Sequence, residues 1–143
     1  MTALPGTVAK QSLRRRLRGP LVAAAGVCAV VGIAAVVDPN ESGHYPTCPF
    51  LYTTGFFCPG CGTLRCLHAI AHGDLGTALQ RNPATVLALA VAALLWERSV
   101  LLALQGRDRP LPWPRWIQFV LPTLIAVYWV GRNVPGWTWL SPA

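Results

Sequence analysis

Cys48, Cys58, Cys61 and Cys66 fall within 19 residues of a 143-residue chain, and Cys58-Pro59-Gly60-Cys61 is a C-x-x-C. Thiols so spaced support three chemistries. In an oxidising compartment paired cysteines persist as a structural staple. Cys48 joined to Cys58 or Cys61 would close a loop of roughly a dozen residues, worth about 3 kcal/mol in loop entropy. For redox catalysis the candidates are Cys58 and Cys61, with Cys48 as a partner thiol. A helix starting just after them, and Arg65, would favour a thiolate, yet no thioredoxin-like alternation of strands and helices surrounds the motif. The third chemistry is zinc, held by Cys48, Cys58, Cys61 and one of Cys66, His44, His68 or His72. One C-x-x-C without a second is an incomplete zinc motif, and Arg65 would oppose a cation. The staple is therefore the reading carried forward. No cofactor is expected, and zinc on Cys48, Cys58, Cys61 and His68 is the alternative. Cys28 stands apart in an apolar run and reads as a small buried hydrophobe.

These thiols need elements to place them. Pro49 and Gly55 flank an aromatic stretch (Phe50, Leu51, Tyr52, Phe56, Phe57) that could wedge into a membrane boundary. Pro59, Gly60 and Gly62 predict a tight turn around Cys61. A short helix is predicted from about Thr63 to Gly73, where glycine suits a helix end. Asp74 then caps a second helix over 75–81. In the first helix Leu64, Leu67 and Ile70 or Ala71 make an apolar side. Arg65, His68 and His72 make a polar one at headgroup level, with Arg65 directed to lipid phosphate or Asp74. Asn82-Pro83 is an N-cap followed by a proline at the first helical position.

The rest of the chain reads as membrane. Hydrophobic residues are 53% and charged residues 12%, about half the charge of a soluble domain, and mean hydropathy is +0.43. Disorder and an ordinary soluble globule are both excluded. Three spans are predicted, over 19–37, 83–104 and 116–131, the last with Pro122 inside it. Ala25, Cys28, Ala29, Gly32 and Ala35 form a small-residue stripe on the first span, suited to close helix packing. Glu97 and Arg98 fall near an interface. Trp113, Trp116, Tyr128 and Trp129 flank the third span, with Trp137 and Trp139 beyond it. Residues 1–18 are a basic tail, 38–82 the cysteine segment, 105–115 a polar connector and 132–143 a tail.

The net charge of +7 reports topology here, not nucleic acid. Nine Lys and Arg (Lys10, Arg14, Arg15, Arg16, Arg18, Arg98, Arg107, Arg109, Arg115) fall on one side of the predicted spans. Three (Arg65, Arg81, Arg132) fall on the other. The positive-inside rule places the N-terminus and 105–115 in the cytoplasm, with 38–82 and the C-terminus outward.

The run Cys48-Pro49-Phe50, Thr54-Gly55-Phe56, Cys58-Pro59-Gly60-Cys61-Gly62, Arg65, His68, Gly73-Asp74-Leu75, Asn82-Pro83 resembles the core motif of a bacterial family of small membrane proteins, domain of unknown function 2752. Leu64 stands where that pattern has a threonine. The resemblance implies a helical integral membrane protein built around this motif, and no particular activity. The expectation is thus an all-α, multi-pass protein of the cytoplasmic membrane with three spans and a short re-entrant or interfacial cysteine segment. Its expected role is a non-enzymatic accessory or scaffold component of the cell envelope. Its partners are the bilayer and other membrane subunits.

Overall fold

The computed structural model describes residues 13–41, 43–107 and 114–137. Lys10, Asp108, Arg109, Trp113 and Trp139 lie outside them, as do the ends of both predicted tails. The described residues are helical, with no strand among them. In chain order the helices are α1 (Leu13–Val36), α2 (Pro49–Thr54), α3 (Thr63–Ala71), α4 (Leu75–Arg81), α5 (Pro83–Leu104) and α6 (Ile117–Arg132).

α1 and α5 are long and apolar enough to cross a membrane, and α6, at 16 residues, is shorter. Their side chains are turned outward: Leu21, Val22, Ile33, Leu87, Leu94, Phe119 and Val127 all expose more than half their surface. Water would penalise that surface at about 25 cal/mol per Å², whereas lipid does not. A membrane protein is the reading that follows. α1 packs on α5, and Trp96 Nε1 donates to Pro20 O across the pair at 2.8 Å. α1 starts at Leu13, so four of the N-terminal arginines are helical.

α3 and α4 fold back on each other and fill the angle between α1 and α5. Gly73 makes the turn at φ +78°, and Asp74 Oδ1 caps α4 by accepting from Thr77 N at 2.9 Å. The core of this lobe is small: Cys66, Ala69 and Ala78, with Ile70 and Val86 packed against it.

Several expectations about which face points inward are corrected. Leu64 and Ala71 are exposed, and α3 buries Cys66, Leu67 and Ala69. His68 faces α1, where its Nδ1 bonds to Ala34 O at 2.8 Å. That contact turns Val31, Ala34 and Ala35 inward. The predicted packing stripe is left with Ala25, Cys28, Ala29 and Gly32 exposed, so Cys28 is not a buried hydrophobe within this chain. Arg65 Nε reaches Pro39 O at 3.5 Å rather than Asp74, whose carboxylate serves Thr77.

Candidate functional site

The site begins with α2, a short helix where the sequence predicts only an aromatic stretch at the membrane boundary. Pro49 occupies the first turn of α2, where its missing N–H costs nothing. Gly55, at φ +73°, ends the helix, its N–H donating to Leu51 O at 2.9 Å. One and a half turns of helix thus reverse the chain and bring residues 56–58 back towards Cys48. The edge of Phe50 meets Trp129 of α6, ring centroids 5.6 Å apart.

The C-x-x-C is a tight turn. Cys61 N donates to Cys58 O and Thr63 N to Gly60 O, both at 3.1 Å. Gly62 then enters α3 at φ +80°, a conformation that costs a residue with a Cβ about 1–2 kcal/mol. The turn aims Cys58 and Cys61 at the same point. Their sulfurs are 3.0 Å apart, and Cys48 Sγ lies 3.6 Å from Cys58 Sγ. All three sulfurs fall within 4.8 Å of one another. Cys58 N donates to Cys61 Sγ at 3.2 Å.

All five cysteines are free thiols. The predicted staple is therefore absent, because even the shortest approach exceeds the 2.03–2.05 Å of a disulfide by about 1 Å. The three thiols are close enough to share a cation. Three thiolates about 2.3 Å from a tetrahedral zinc lie about 3.8 Å from each other, near the Cys48–Cys58 separation of 3.6 Å, so Cys58 and Cys61 would part from 3.0 Å on binding it. Without a cation the thiols differ in acidity. The Leu51 backbone N–H draws Cys48 below the usual thiol range. Burial, and then the neighbouring Cys58, push Cys61 up to about 12.

Not every predicted ligand joins the cluster. Cys66 is fully buried in the lobe core and donates to Asn82 O at 3.6 Å, and burial raises its thiol above the ordinary value. His68, the predicted fourth ligand, is committed to α1, its Nε2 lying 3.9 Å from Asp38 Oδ1. The reason is helical register: Cys61 precedes α3, whereas His68 sits on the side of α3 that docks against α1. His44 and His72 are outside the cluster as well.

The turn is held from behind by a buried polar network. Asn82 is 1% exposed. Its Nδ2 donates to Pro59 O (3.1 Å), Cys61 O (3.2 Å) and Thr63 Oγ1 (3.3 Å). Its Oδ1 accepts from Thr85 N (3.1 Å), the predicted N-cap bond of α5, and from Tyr128 OH (2.9 Å). Arg132 is 2% exposed. Its Nη1 donates to Pro59 O (3.1 Å) and Tyr128 OH (3.2 Å), and its Nη2 to Cys61 O (2.9 Å). Next to it, Asn133 grips Phe57 at both backbone groups, accepting from its N at 2.8 Å and donating to its O at 2.9 Å.

The end of α6 is thus a clamp on the thiol turn. Tyr128 reads in the sequence as an interfacial aromatic and Arg132 as a topogenic charge. Nothing in their spacing tells of the clamp.

Residues 48–96 match the DUF2752 family, described as a protein of unknown function. The matched segment holds the three thiols, α2, α3, α4 and α5 as far as Trp96, and leaves α1 and the α6 clamp outside it. No curated protein and no solved structure matches the chain.

Proposed function

We propose that the chain is a non-enzymatic accessory module of the cytoplasmic membrane in which Cys48, Cys58 and Cys61 bind one zinc ion that rigidifies the lobe between the helices. The convergence of three thiols on one point carries this reading. A dithiol reaction uses two sulfurs, whereas a metal centre gains from each further ligand. The third sulfur comes from Cys48, the N-cap of α2, so a shared metal would tie the start of α2 to the turn before α3. The fourth coordination position would be taken by water or a ligand from outside the described residues.

The membrane arrangement belongs to the same proposal. α1 and α5 span. α6, about 24 Å long at the helical rise, spans as a third, short helix with Trp116 at one end and Trp129 near the other. The N-terminus lies in the cytoplasm and the cysteine lobe on the outer side, in accord with the arginine asymmetry.

One observation favours a second reading, a thiol–disulfide oxidoreductase: the 3.0 Å approach of Cys58 to Cys61. Elemental analysis of the detergent-purified chain separates the two. Zinc near one equivalent per chain, lost in Cys48→Ser and Cys58→Ser and kept in Cys66→Ala, supports the metal module. A metal-free protein whose Cys58 is alkylated rapidly at neutral pH supports the oxidoreductase.

A further inference from the structure

Arg132 is a buried cation. Among the described residues no carboxylate pairs with it. Its Nη atoms donate to two carbonyls and a phenol, and its Nε is buried with no hydrogen-bond partner. The Tyr128 ring under the guanidinium, 5.3 Å from its carbon to the ring centroid, supplies only a quadrupole. Removing a guanidinium from water costs several kcal/mol unless an opposite charge compensates. The carbonyls it holds are those of Pro59 and Cys61, within the turn that carries two of the three thiols. Because Nη2 is 2.9 Å from Cys61 O, the covalent reach of one cysteine puts the guanidinium within roughly 8 Å of that sulfur.

We infer that Arg132 is the counter-charge of the thiol cluster and a positioning residue for it, so that the site is built for a metal–thiolate of net charge −1. This rests on the metal reading given above. Three thiolates with a divalent cation sum to −1, and with Arg132 to zero. A monovalent soft cation with the same three thiolates would leave the pair at −1. The charge count therefore selects a divalent thiophilic metal. Arg132 acts twice: its donors fix the carbonyls on either side of Gly60, and its charge offsets that of the metal–thiolate behind them. At about 8 Å and an effective dielectric of about 20, that charge changes metal affinity by on the order of 30-fold.

The test uses the full chain in detergent, with Zn²⁺ affinity measured by competition against a chromophoric chelator. Arg132→Gln keeps an N–H donor and removes the charge. Arg132→Lys keeps the charge and removes the planar fork. The expected result is a loss of about 30-fold for Arg132→Gln and of under about threefold for Arg132→Lys. Co²⁺ should give the same thiolate-to-metal charge-transfer bands in wild type and Arg132→Gln, with more Co²⁺ needed to saturate the variant. Wild-type affinity in Arg132→Gln overturns the inference and leaves the metal reading standing. So does an equal loss in both variants, which would mark a purely structural clamp. A wild-type chain that takes up no zinc overturns both. Unfolding temperatures of the metal-free variants establish that the comparison is between folded proteins.

Discussion

Replacing Asn82 by alanine removes the residue that joins the thiol turn, the start of α5 and the end of α6. Its energetic weight can be worked from its partners. The N-cap bond to Thr85 N is worth about 1 kcal/mol when an asparagine is replaced by alanine. Tyr128 OH loses its acceptor, a further cost of about 1–3 kcal/mol. Pro59 O and Cys61 O keep Arg132 as a donor, so they add little. The expected loss is about 3 kcal/mol, a large share of the 5–15 kcal/mol that holds a domain. The assay is denaturant unfolding in detergent, followed by tryptophan fluorescence, with the slope unchanged between variants. If the network acts as one unit, Tyr128→Phe in the Asn82→Ala background costs clearly less than it does alone. A loss under about 1 kcal/mol, or strict additivity with Tyr128→Phe, would mean that Asn82 does not join these elements into one unit.

Gly62→Val places a β-branched side chain at φ +80° and should lower stability by at least about 1–2 kcal/mol, read as a reduced unfolding temperature and a lower yield of folded protein. Asp74 is held below its ordinary value by the Thr77 hydroxyl and then the Thr77 N–H. Its capping contribution is therefore complete above about pH 4 and is lost as pH falls through the lower folded value. An acid titration of stability should show this fall in wild type and a flatter profile in Asp74→Ala. Trp96→Phe removes the bond from Nε1 to Pro20 O and should weaken the α1–α5 contact by about 0.6 kcal/mol, the usual worth of such a bond in a bilayer. A double-mutant cycle with a substitution on the α1 face would measure it.

Local chemistry made much of the lobe legible. Asp74 and Asn82 are capping residues that act within three positions of themselves, and both cap as their sequence neighbours suggest. Gly73 follows α3 for the same local reason. Although the helix α2 that reverses the chain was hidden in an aromatic stretch that reads as a membrane wedge, the grouping of Cys48, Cys58 and Cys61 was legible from their closeness in the chain. The bonding state was not, since a staple and a metal cluster need the same spacing. Facing was legible only in part. The α1 stripe of small residues is real in sequence, but α3 docks beside it because His68 finds Ala34 O, and a lone histidine does not announce its partner 34 residues away. Arg132 and Asn133 were the least legible. The Cys61 and Phe57 carbonyls they hold lie more than 70 residues upstream, and an arginine after an apolar run carries the same signature whether it meets lipid headgroups or a buried carbonyl.

The most direct measurement of zinc binding by the three thiols is X-ray absorption at the zinc edge on the purified chain. The expected first shell is three sulfurs at about 2.3 Å and one lighter atom at about 2.0–2.2 Å, with one sulfur lost in Cys48→Ser. Absence of zinc, or a shell of nitrogen and oxygen alone, would contradict it.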